Sequence, residues 1–177
     1  MRDLNHTSLV ILGMLGGGPK SGYDVKALVD KSTRFFWSAS YGQIYPQLRD
    51  LENAGLVRGA SRARGGRSRT VYELRPAGRQ ALREWLTSSR ELTHEIRDEG
   101  ILKLFFSDAL EPEERLANIR AMRERYEALA RRLREEIEPA AETAPGAFPL
   151  RTARLGRGLY EWLAGWCAEA EEELARE

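Results

Sequence analysis

Between Ser38 and Leu74 the chain carries a pattern that few folds accommodate. Ile44, Leu48 and Leu51, spaced by four and three, set one buried stripe on a helix, and Gly42, Gln43, Pro46 and Asp50 fall on its other side. Ser40 is placed to cap that helix and Gly55 to end it as the C′ residue. Pro46 lacks the N–H of an inner turn, which predicts a start later than Tyr41, or a bend. Val57 to Arg62 and Thr70 to Arg75 then read as two short strands joined by the Gly65-Gly66 turn, and the segment from Arg62 to Arg69 holds four arginines and no acid.

Upstream, the apolar run Leu9 to Leu15 suits a first helix from about Asn5, buried on most sides and ended by Gly16-Gly17-Gly18-Pro19. Ser21 caps a second helix to about Ser32 whose apolar face is Tyr23, Val25, Leu28 and Val29, and Phe35-Phe36-Trp37 is expected to pack into the core. Pro76 opens a helix carrying Leu82, Trp85 and Leu86. Beyond it the chain reads as helical throughout. Ile101 to Phe106 is apolar on nearly all sides, and Leu116, Ile119, Met122, Tyr126, Leu129, Leu133 and Ile137 form a seam of coiled-coil type. Pro139 to Pro149 is expected to break the helix as a linker, and Leu155, Leu159, Trp162, Trp166, Ala170 and Leu174 to form one face of the last helix.

The charge is divided. Residues 1–90 carry 15 basic and 7 acidic side chains, net +8, and residues 91–177 carry 13 and 20, net −7, so two domains with different partners are expected over 1–90 and 91–177. With 42% hydrophobic and 31% charged residues, the chain has the composition of a folded soluble protein. Its longest apolar run is too short to span a membrane and is not preceded by a basic signal-peptide region, from which a cytoplasmic location is expected. The lone Cys167 fits a reducing compartment.

Enzymatic signatures are missing from the sequence. The glycine-rich run near Gly16 has Pro19 where a phosphate-binding loop needs lysine, and it follows a helix rather than a strand. His6 and His94 are isolated and lie in no acid-base or nucleophile motif, so neither a metal site nor a cofactor is expected.

Gly22-Tyr23-Asp24, Ile44-Tyr45-Pro46-Gln47-Leu48, Leu51-Glu52-Asn53-Ala54-Gly55-Leu56-Val57 and Tyr72-Glu73-Leu74 followed by Ala77-Gly78 stand in the order and spacing of one regulator family. Through about residues 7–86 the chain resembles the PadR family of bacterial transcriptional regulators. The rest resembles the shorter subfamily with C-terminal dimerising helices. The resemblance implies a mainly α protein: an N-terminal winged helix-turn-helix domain with a two-stranded β-wing, and a C-terminal α-helical dimerisation domain. It further implies a homodimeric repressor on a roughly palindromic double-stranded DNA operator, released in some members by a small aromatic or apolar effector. Arg75 departs from the threonine that many relatives hold before the helix after the wing.

The residue chemistry agrees. Arg62, Arg64, Arg67 and Arg69 suit phosphates and set affinity, whereas Gln43 and Gln47 offer base-edge donors and acceptors. Ser38, Ser40 and Tyr41 lie near the helix N-terminus, Arg49 is placed for a phosphate, Lys20 and Tyr23 are candidates for backbone contact, and Tyr45 reads as core. For dimerisation the candidates are Leu104, Phe105, Leu116, Ile119, Tyr126, Leu129, Leu133, Trp162 and Trp166, with the seam free either to pair between subunits or to fold back within one. Trp85, Phe106 and Trp162 are candidates to line an effector cavity, the alternative being dimer core. A competing reading is a winged-helix interaction adaptor without sequence-specific DNA binding, for which acid-free wing arginines have no use.

Overall fold

The computed structural model describes residues 4–64, 67–89 and 96–176, the side chains of 62–64, 67 and 68 excepted. The chain divides into two compact units, Met1–Glu91 and Leu92–Glu177.

In the first unit, α1 (His6–Leu15), α2 (Gly22–Lys31) and α3 (Tyr41–Asn53) surround a core of Ile11, Leu12, Leu15, Val25, Val29, Ile44, Leu48 and Leu51. Each start is capped. Asn5 accepts from the Ser8 N–H at 2.8 Å, and Ser21 and Asp24 form a reciprocal capping box. At Ser40 the N–H donates to the Gln43 side-chain oxygen at 2.9 Å. α3 starts at Tyr41 despite Pro46, correcting the expected late start. Burying Ile44, Leu48 and Leu51 stabilises the helix by about 5–9 kcal/mol, which exceeds the roughly 3 kcal/mol that an interior proline costs. The carbonyl that loses its donor is that of Gly42, an exposed residue.

α3 ends in a Schellman turn. Gly55 takes a φ of +72°, while Leu56 N–H donates to Leu51 and Gly55 N–H to Glu52, both at 2.9 Å. This reversal launches β2 (Val57–Arg64), which pairs antiparallel with β3 (Arg67–Leu74) from Val57↔Leu74 to Arg64↔Arg67. Toward the tip β2 extends two residues and β3 three residues further than the sequence suggests, and a third short strand, β1 (Lys20–Ser21), adds to the other edge of β3. Gly65 and Gly66, the expected turn, lie outside the described residues, as does His94.

Arg75 occupies the N-cap of α4 (Pro76–Leu86) without a side-chain cap, and its N–H donates to the Leu56 carbonyl at 3.0 Å. Leu82 packs on the core, while Trp85, Leu86 and Phe36, read as core or face residues, are exposed within the protomer.

The second unit contains α5 (Glu99–Phe105), α6 (Pro112–Arg132), α7 (Glu138–Glu142) and α8 (Phe148–Leu174). Helices α6 and α8 pack along their lengths, enclosing Ile119, Met122, Tyr126, Ala164 and Cys167. The seam therefore folds back within one chain. Pro139 does not break the helix, because the preceding π turn Leu133–Ile137 widens the coil where the proline ring would meet the carbonyl of Glu135. The linker shrinks to residues 143–147. Against the α6 core the last helix presents Ala164 and Cys167 with Tyr160, Leu163, Ala170 and Leu174, leaving Leu155, Leu159 and Trp162 outward, so the expected face holds only at its C-terminal end. Burial pushes the Cys167 thiol up, so it stays protonated at neutral pH.

A Cβ at Gly78 would meet the Leu56 carbonyl oxygen at 2.3 Å and Leu74 Cδ1 at 2.7 Å. Gly78→Ala is expected to destabilise the first unit by about 1–3 kcal/mol in urea unfolding, since backbone must move to admit it; an unchanged midpoint would contradict this packing.

Candidate nucleic-acid interface

The stripe that anchors α3 turns its opposite side outward. Ser38, Ser40, Tyr41, Gln43 and Arg49 are all exposed there or in the preceding link. Gln43 uses its amide oxygen on Ser40, and its amide nitrogen makes no hydrogen bond among the described residues. Gln47 is placed differently from expectation. Its oxygen accepts from the Ser8 hydroxyl at 2.6 Å and from Asn5 Nδ2 at 3.0 Å, and its nitrogen donates to Asp50 at 3.2 Å. The amide is thus committed to tying α3 to the start of α1.

The sheet register places the four wing arginines together. Arg62 stands opposite Arg69 and Arg64 opposite Arg67. The side chains of Arg62, Arg64 and Arg67 lie outside the described residues. Arg69 is held within the chain: its guanidinium lies 2.6 Å from Asp24 Oδ1, donates to the Ser21 hydroxyl and sits 5.8 Å above the Tyr23 ring.

Tyr23, Tyr41 and Tyr45 form an exposed stack with centroid separations of 6.4 and 6.2 Å, and Lys26 Nζ lies 5.6 Å from the Tyr41 ring. Tyr45 is therefore surface rather than core. Sequence spacing hides this stack, because Tyr23 belongs to α2 and the other two to α3. His6 packs at a tilt against Trp37, centroids 4.6 Å apart, and no group of three or more metal-ligating side chains is assembled among the described residues.

In the second unit Ile119, Tyr126 and Leu133 are buried by the chain itself, with Leu104 and Leu129 packed against that core and Leu116 half-buried. Those three offer a partner no surface. Phe105 (78% exposed), Trp162 (64%) and Trp166 (38%) remain available. An open apolar hollow of about 740 Å³ is lined by Ile96, Arg97, Asp98, Glu99, Ile101, Leu102 and Phe105. It does not include Trp85, Phe106 or Trp162, and Trp85 belongs to the first unit. Asp98 caps α5 through the Gly100 N–H at 2.7 Å, and burial together with Asp98 pushes the Tyr126 hydroxyl up to about 12.

Residues 11–84 match the transcriptional regulator PadR-like family, and residues 96–175 match the virulence activator alpha C-terminal family. Residues 11–84 are a PadR-like domain. The chain is 33% identical over 105 residues to the negative transcriptional regulator PadR of Bacillus subtilis, a match spanning 59% of this chain and 58% of that regulator. A solved structure of B. subtilis PadR in complex with operator DNA superposes with a TM-score of 0.87 at 23% identity, covering 96% of this chain and 99% of that one. Another, in complex with p-coumaric acid, gives 0.76 at 24%, covering 95% and 98%. These two likenesses show a shared fold. The three-stranded sheet and the helical second unit agree with the expected winged helix-turn-helix and C-terminal helical region. No helix among the described residues is long and apolar enough to cross a membrane.

Within the PadR-like domain, Gln47→Ala removes the acceptor of the buried Ser8 hydroxyl. A loss of about 1–3 kcal/mol in chemical denaturation is expected. Undiminished stability would free Gln47 for the base-reading role that the sequence suggested.

Proposed function

We propose that this PadR-like chain is a homodimeric repressor that holds a palindromic operator through α3 and the arginine hairpin. One observation carries the reading: the hairpin register sets Arg62 opposite Arg69 and Arg64 opposite Arg67. Like charges directly opposite destabilise a strand pair, so a ribbon built this way is suited to an anionic partner with closely spaced charges. The exposed Tyr41 and Gln43, beside the start of α3, supply donors and acceptors for a groove. Repression is supported by the relative named as a negative regulator, and the DNA partner by the B. subtilis PadR complex with operator DNA.

Dimerisation is assigned to the outer face of α8, where Leu155, Leu159 and Trp162, with Trp166 beside them, form an exposed apolar stripe. Two copies of a short recognition helix read more base pairs than one and match a palindrome. Release by a small aromatic or apolar effector is the companion proposal, supported by the p-coumaric acid complex of B. subtilis PadR and by the apolar hollow beside α5.

Replacing Arg64 and Arg67 with alanine tests the DNA reading. The slope of log affinity against log salt is expected to flatten by about 0.9 per arginine in each protomer. An unchanged slope would remove the hairpin from the interface and favour the adaptor reading. For the dimer, Leu159→Glu combined with Trp162→Glu is expected to sediment as a folded monomer with weakened operator binding. Since both side chains are exposed in the protomer, a persistent dimer would place the interface elsewhere.

A further inference from the structure

We propose that Arg69 is a positioning residue and not a phosphate ligand: paired with Asp24, it fastens the arginine hairpin to the start of α2 and cancels one positive charge of the ribbon. The inference rests on the DNA-binding reading and deepens it, since it divides the four wing arginines into those that face DNA and one that aims them.

The partners of Arg69 are themselves fixed. The Ser21 N–H and hydroxyl both donate to Asp24 Oδ2 at 3.0 Å, and the Asp24 N–H donates back to the Ser21 hydroxyl at 3.2 Å. Ser21 also lies in β1, paired with Val71, two residues beyond Arg69 on β3. The capping box of α2, the edge of the sheet and the hairpin thus meet at one serine. Arg69 closes this junction with an ion pair to Asp24, a hydrogen bond to Ser21 and the Tyr23 ring beneath its guanidinium. Lysine has no planar fork for that combination. Burial raises the Asp24 carboxyl somewhat, but hydrogen bonds from the Ser21 backbone and from Arg69 outweigh it and hold the group below its ordinary value. Asp24 is therefore fully ionised at neutral pH.

Charge decides the rest. The pair sums to zero, so a phosphate approaching Arg69 meets the Asp24 carboxylate 2.6 Å from the same guanidinium, and little counterion release follows. By register Arg69 stands opposite Arg62, two pairs from the Arg64↔Arg67 end of the ladder, where an unpaired charge would add to repulsion across it. Asp24 relieves that repulsion on one side only.

The test uses the full chain, a duplex carrying its preferred site and an unrelated duplex, each titrated across a salt series. Arg69→Ala is expected to weaken site binding about 2–5-fold, as loss of a surface ion pair does, with the slope unchanged. Asp24→Asn unmasks Arg69, and the slope is expected to steepen by about 0.9 per protomer while binding to the unrelated duplex strengthens at low salt. A role confined to stability produces no such gain. The double variant should return to the slope of Arg69→Ala. A flattened slope in Arg69→Ala with no change in Asp24→Asn would overturn the proposal and make Arg69 a phosphate ligand. A urea double-mutant cycle reads the pairing without DNA: the double variant is expected to unfold no more readily than the worse single variant, and fully multiplicative losses would refute the link. If the parent chain bound no duplex, the DNA reading would fall with Arg69's proposed role in aiming the hairpin, and the cycle would still decide the pairing.

Discussion

The first unit depends on α3 belonging to two environments at once. Ile44, Leu48 and Leu51 are at most 1% exposed, and Tyr45, Arg49 and Asp50 between them are exposed. Burial of this stripe holds the helix through Pro46, brings Gln47 against Asn5 and Ser8, and fixes the direction in which Gly55 releases the chain into β2. The outward side inherits its orientation from the buried one. A polar surface of short, exposed side chains has little means of holding itself, and here the core does so.

Electrostatics acts on that frame. Clustering like charges across a ladder is unfavourable for folding alone, and the sheet tolerates it because the other face of β3 is anchored by Tyr72 and Leu74 while Arg69 is paired with Asp24. Stability is thus concentrated at the base of the hairpin and charge toward its tip.

Much of this was legible in the sequence because buried periodicity and caps are local. The stripe of α3, Gly55, Ser21 as a cap, and the strand pair stand almost where spacing places them. Tertiary choices were not legible. α8 has apolar residues on two sides, and the larger ones, Leu155, Leu159 and Trp162, suggest the packed face; close approach to α6 instead selects Ala164 and Cys167. The seam of α6 carries no mark of whether its partner is α8 or a second chain. Pro139 reads as a breaker unless the π turn before it is known. For Arg69, four similar arginines in eight residues concealed that one has an acid 45 positions upstream, although Ser21-x-x-Asp24 has the spacing of a capping box.

Sequence-specific recognition by a two-fold dimer is the central claim, and selection from a pool of random duplexes at moderate salt tests it most directly. Repeated capture by the full chain, followed by sequencing, is predicted to enrich an inverted repeat whose half-sites are centred about one helical turn, roughly 10 bp, or a multiple of it apart. A pool that stays unenriched, or one enriched only in isolated half-sites, would contradict the account.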